Sequence, residues 1–111
     1  LHLFINLPID VYVKLMDLCA CMIGNSSSAI REGAFMGVPA VNIGSRQAKR
    51  MRGKNIRDAG YATDEIIAAI KDRMQNGRFG SDTIYGNGSA GENIARILAD
   101  TDLHPQKQIN Y

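Results

Sequence analysis

No stretch of this sequence is apolar for long enough to cross a bilayer. Charge of one sign is also missing: 13 basic residues face 11 acidic ones, a net charge of +2, which removes nucleic acid and membrane surfaces as default partners. There are two cysteines, Cys19 and Cys21, separated by one residue, too close for an unstrained disulfide and with no second pair to complete a zinc site. They read as two buried free thiols, which fits a reducing cytoplasm. The two histidines, His2 and His104, lie near the ends with no acid or nucleophile placed for them by spacing, and neither is assigned a catalytic role. Leu1–Leu7 lacks the basic segment and the small-residue cleavage site of a secretory signal and reads instead as a strand. The chain does not open with methionine and enters that strand at once, so it is expected to begin inside a larger protein. Internal repeats and low-complexity segments are absent. What is present is 111 residues at 45% hydrophobic content, enough for one domain with a single core.

The first strand ends at Pro8. Asp10 is placed to cap a helix whose apolar residues Val11, Leu15 and Leu18 recur at i, i+4 and i+7, with Tyr12, Met16 and Cys19 widening that face. Cys21-Met22-Ile23 forms a short strand leading to Gly24, a helix follows, and after Gly37 and Pro39 the run Ala40–Ile43 is a third strand. Strands alternating with helices, apolar throughout and closely joined, predict an α/β fold with a parallel sheet covered by helices on both faces. Right-handed crossovers bring the carboxyl ends of such strands to one edge, so the loops after Gly24 and Gly44 are expected to share a crevice. Thr63 is placed to cap a further helix to about Asn76, with Ile66, Ile67, Ile70 and Met74 as its stripe and Gly77 as its stop. A glycine-rich joint, 78–88, precedes a capping box, Ser89-Ala90-Gly91-Glu92, and a last helix with Ile94, Ile97 and Leu98 inward. The expected division is a domain over 1–100 and a tail, 101–111, without periodic pattern.

Two stretches carry chemistry. In Gly24-Asn25-Ser26-Ser27-Ser28 the turn into the helix leaves the first backbone N–H groups open to an anion, and the serine hydroxyls can either cap the helix or donate to phosphate oxygens. Ordinary capping explains the same residues. Glu32, about one and a half turns along, is within reach of sugar hydroxyls on whatever the turn holds. The second stretch, 44–57, holds six of the basic residues and no acid. A solvated basic surface accounts for such a run. The alternative is an anion clamp, with the planar fork of Arg46, the first basic residue after the strand, facing phosphate oxygens beside the serine turn. Lys49, Arg50, Arg52 and Lys54 are then expected to point to water.

The residues Gly24-Asn25-Ser26-Ser27-Ser28, Arg31-Glu32-Gly33-Ala34-Phe35 and Gly37 through Gln47, continuing through Arg50, Gly53 and Asn55 into Tyr85-Gly86-Asn87-Gly88, resemble the UDP-N-acetylglucosamine 2-epimerases. The form Gly44-Ser45-Arg46-Gln47 is similar to the hydrolysing branch, which releases N-acetylmannosamine and UDP; the other branch has a more acidic loop there. The resemblance implies a glycosyltransferase-B-like architecture of two Rossmann-like halves with the active site between them, this chain being most of the C-terminal half. It implies Ser26 and Ser27 on the diphosphate, Glu32 on the ribose hydroxyls, Arg46 near the diphosphate edge, and Leu7-Pro8 against the uracil, where some relatives carry histidine in place of leucine. It further implies abstraction of the C2 proton, anti elimination of UDP and hydration of the resulting glycal, by carboxylates and a histidine upstream of Leu1. No catalytic residue, cofactor or metal is then expected in this chain. Its expected partners are a UDP-sugar, the missing N-terminal domain and further copies in a homo-oligomer, in the cytoplasm, with no nucleic acid or membrane. A glycosyltransferase of the same architecture remains an alternative, since a nucleotide grip does not fix chemistry, as does a noncatalytic nucleotide-sugar-binding module.

Overall fold

The computed structural model describes residues 1–102. His104 and the expected tail from residue 103 onward lie outside the described residues. The expected parallel sheet is present: β1 (Met22–Gly24), β2 (Ala40–Ile43) and β3 (Ile56–Ala59) pair in parallel in the order β1-β2-β3. β2 is the central strand, and its side chains alternate between two covered faces. Val41 meets Ala59 and Ala69, with Cys21, Ile43, Ile66 and Ile70 around them, which fastens α4 (Thr63–Asn76) to one face. On the other, Ala29, Ile30, Ala34, Val38 and Ala40 are buried where α2 (Ser27–Ile30) and α3 (Glu32–Met36) pack.

The expected helix after the serine turn is broken at Arg31 into α2 and α3. The cause is Asn55, 2% exposed, whose Nδ2 donates to the carbonyls of Ala29 (3.1 Å) and Val38 (2.8 Å). A side chain that takes a helix carbonyl in this way interrupts the i to i−4 ladder. The same packing explains Gly53, where a Cβ would stand 2.7 Å from Asn55 Oδ1 and 3.0 Å from the Ala34 methyl. Gly37 ends α3 as expected, with φ of 67° and its N–H bonded to Ala34 O, and the carbonyl of Phe79 fills the space where a Cβ would be.

Several local expectations are corrected. Leu1–Leu7 forms no strand: Leu1, Leu3, Phe4 and Ile5 are exposed, and the one hydrogen bond of Leu7 N is to the neighbouring Asn6 Oδ1. A strand needs a partner's ladder, and this local bond competes with one. α1 (Ile9–Leu18) starts one residue before Asp10, which sits in its first turn without capping it. α1 also turns a different stripe inward. Met16 is buried and Tyr12 and Cys19 half-buried, whereas Val11, Leu15 and Leu18 are exposed. The two stripes have the same spacing and differ by one residue, so periodicity alone does not choose between them. α4 begins at Thr63 with Ala62 at its cap position, and α5 (Ala90–Asp100) has no bond from the Ser89 side chain, so neither expected cap forms. Ile94, Ile97 and Leu98 line one side of α5 but are exposed. The strand β3 is an addition: its centre, Arg57 and Asp58, is polar, and both side chains are paired, with Asp72 at 3.2 Å and Arg52 at 3.1 Å.

Asn55→Ala should lower stability by about 1–3 kcal/mol for each carbonyl left unpaired. Urea denaturation checks this; an unchanged midpoint would mean that water replaces the amide at both carbonyls.

Candidate functional site

The strand ends meet as the topology requires. β1 ends at Gly24, and the turn that follows is held by the loop after β2: Gln47, 5% exposed, donates from Nε2 to Asn25 O at 2.9 Å, and Arg46 Nη1 lies 3.4 Å from Asn25 Oδ1. Two loops some twenty residues apart in sequence thus meet at Asn25, with Arg46 exposed beside the serine turn.

Within the turn the serines divide their tasks. Ser26 is the cap residue of α2, its Oγ accepting from Ser28 N at 3.3 Å and lying 3.1 Å from Ser28 Oγ. Ser27 opens the helix and is half-buried. Because α2 is only 4 residues long, it contributes little macrodipole, and attraction for an anion falls to individual N–H groups, hydroxyls and the Arg46 guanidinium.

Glu32 stands apart from the serines. Exposed at the start of α3, it lines a cavity of 470 Å³ with Val13, Phe35, Tyr85 and Asn87. Ser26 and Ser28 line a second hollow, also 470 Å³, with Leu7, Ile9 and Tyr12. α1 contributes to both walls, so the break at Arg31 sends the carboxylate to one hollow and the hydroxyls to the other. Ser26 and Ser27 follow directly on Asn25, which Arg46 contacts, while Glu32 faces the neighbouring space.

Arg52, expected to point to water, does not. Its Nε and Nη2 bind Asp58, and its Nη1 donates to the carbonyls of Gln47 (2.7 Å) and Arg50 (2.6 Å). Asn42 Nδ2 also donates to Asp58 Oδ1, at 2.6 Å. Burial pushes the Asp58 carboxyl up, but the hydrogen bonds from Arg52 and Asn42 outweigh it and hold it below the ordinary aspartate value. Cys19 and Cys21 are free and half-buried, and burial pushes both thiols up. Among the described residues no three His, Cys, Asp or Glu side chains group as metal ligands, and no helix is long and apolar enough to cross a membrane.

These elements define a Rossmann-like α/β unit with a hydroxyl-rich turn and an arginine loop at its strand ends. The chain belongs to the UDP-N-acetylglucosamine 2-epimerase family, whose model matches residues 1–99. It is 32% identical over 94 residues to a UDP-N-acetylglucosamine 2-epimerase of Neisseria meningitidis, covering 85% of this chain and 25% of that protein. A hydrolysing UDP-N,N'-diacetylbacillosamine 2-epimerase of Legionella pneumophila is 34% identical over 85 residues, 77% of this chain and 22% of its own length. A hydrolysing GDP/UDP-N,N'-diacetylbacillosamine 2-epimerase of Campylobacter jejuni is 49% identical over 57 residues, 51% of this chain and 15% of its own. The chain spans about a quarter or less of the length of these relatives.

The Asp58 pairing has a pH signature. A carboxylate whose folded value is depressed adds stability that is complete above its unfolded value and is lost as pH falls through the folded one. Wild type should therefore exceed Asp58→Asn in urea midpoint at about pH 7, and the gap should narrow as pH falls below the ordinary aspartate range. The gap should stay below about 1 kcal/mol, since half of the carboxylate surface is open to water. A gap that does not change with pH would assign it to packing.

Proposed function

We propose that this chain is the UDP-holding, C-terminal half of a UDP-N-acetylglucosamine 2-epimerase of the hydrolysing type, converting UDP-N-acetylglucosamine and water to N-acetylmannosamine and UDP. The observation that carries this reading is the meeting of Arg46 with the serine turn across Asn25. In it, Ser26 and Ser27 donate to the diphosphate, Arg46 neutralises its outer edge, and Glu32 accepts from the ribose hydroxyls. Elimination places negative charge on the departing UDP, so fixed donors at the diphosphate are the catalytic service of this half. The proton transfers at C2 belong to the other domain. The hydrolysing branch is supported by Gly44-Ser45-Arg46-Gln47 and by the two relatives whose names carry that chemistry. A second reading changes only the sugar: those two relatives are named for diacetylbacillosamine rather than N-acetylglucosamine. The exposed apolar stripes, Val11, Leu15 and Leu18 on α1 and Ile94, Ile97 and Leu98 on α5, suit the missing N-terminal domain and a homo-oligomer. A cytoplasmic location follows from the nucleotide-sugar substrate.

One domain of a cleft enzyme cannot set an acid and a base against C2. The isolated chain should therefore leave the C2 proton of UDP-N-acetylglucosamine unexchanged in deuterated water; exchange, read by NMR, would place proton-transfer groups within these residues.

In the full-length enzyme, Arg46→Lys keeps the charge and loses the planar fork, and should lower kcat/KM by roughly ten- to a hundredfold, about 1.4–2.8 kcal/mol. Lys54→Ala, which removes a charge from an exposed position, should cost much less. Glu32→Gln should weaken UDP binding by about 1.5–3 kcal/mol with unchanged melting. Equal small losses at Arg46 and Lys54 would reduce the loop to its summed field.

A further inference from the structure

Arg52 has all three guanidinium nitrogens engaged inside the protein. Nε reaches the two Asp58 oxygens at 3.2 and 3.1 Å, Nη2 reaches Asp58 Oδ1 at 3.1 Å, and Nη1 reaches the carbonyls of Gln47 and Arg50. Its side chain is 22% exposed, in contrast to the exposed Arg46, Lys49 and Arg50 of the same loop. The bonds do not stop at Arg52. Asp58 is the register partner of Asn42 on the central strand, which is 1% exposed and donates to it. At the other end, the Gln47 whose carbonyl Arg52 holds is the residue whose side chain grips Asn25 O, and Arg46 is its neighbour. A continuous series of hydrogen bonds therefore runs from β2 and β3, through one guanidinium, to the serine turn.

Lysine could not make this connection. A single ammonium lacks the rigid fork that binds a carboxylate on one side and two carbonyls on the other. Without the connection, the 45–50 loop keeps the side-chain bonds of Arg46 and Gln47 to Asn25 but loses its link to Asp58 on β3, and a loop that completes its ordering only on binding gives up affinity for that ordering.

We propose that Arg52, braced by Asp58 and Asn42, is a positioning residue for the diphosphate grip: it fixes the loop backbone so that Arg46 stands beside the serine turn before ligand arrives, and it touches no ligand itself. This rests on the nucleotide reading above.

The test is a double-mutant cycle in the full-length protein with UDP as the probe, titrated by calorimetry: wild type, Arg52→Lys, Arg46→Ala and the double variant, with melting temperature followed in parallel. Arg52→Lys should weaken UDP binding roughly tenfold in the wild-type background and by no more than about twofold when Arg46 is already alanine, because coupled residues do not add. Equal losses in both backgrounds overturn the proposal, whether they come from general destabilisation or from a direct contact of Arg52 with UDP. Weaker binding in Arg46→Ala with no change in Arg52→Lys also overturns it and leaves the nucleotide reading standing. Wild-type protein that does not bind UDP, or an Arg46→Ala variant that binds like wild type, overturns both. Should Arg52→Lys fail to fold, Asp58→Asn takes its place in the cycle, since it removes the charged brace while Arg52 keeps its loop carbonyls; the same coupling is expected and the same additivity overturns it.

Discussion

The buried amide of Asn55 is the contact on which the rest of the site's scaffold depends. By donating to Ala29 O and Val38 O it ties the end of α2 to the approach to β2, and it does so from the residue just before β3. Three segments that sequence separates are thereby joined at one point. The cost of leaving those carbonyls dry and unpaired in the interior is what keeps the amide in place. Gly53 follows from it, because the backbone must pass within touching distance of the amide, and so does the broken helix, because one of the carbonyls taken belongs to it.

The features readable from sequence were those set by local chemistry or by alternation. Gly24, Gly37 and Gly77 end their elements where a reader of the sequence would place them, and the meeting of the Gly24 and Gly44 loops follows from parallel crossovers alone. What could not be read depended on contacts between distant residues. β3 was missed because its charges look like loop, and they are acceptable in a strand only because Asp72 and Arg52 come to meet them. Arg52 was grouped with its solvent-facing neighbours because charge runs look alike until a partner is known. The inward stripe of α1 is displaced by one residue because both candidate stripes are apolar at the same spacing, and only tertiary packing decides between them. Arg31 gives no sign of a break, since the residue that causes it lies 24 positions further on.

The meeting of these two loops is organised differently from a helix-dipole site. A four-residue helix carries too few aligned peptides to draw an anion strongly, and the positive charge beside the turn after β1 is that of Arg46 in the loop after β2. Asn25 is the common member, offering its backbone carbonyl to Gln47 and its side-chain carbonyl to Arg46. A long, exposed arginine is thereby kept at a defined place, because the residue beside it is held at both its backbone and its side chain.

The two margins of the sheet are unlike. β3 presents Arg57 and Asp58 along its length, and charged side chains on a border strand discourage other chains from adding to it. β1 has no such guard: Met22, Ile23 and Gly24 carry no charge, and Ile23 is 54% exposed. Among the described residues the sheet therefore has one charged border and one uncharged one, and a lysine or glutamate in place of Ile23 would give β1 the kind of guard that β3 carries.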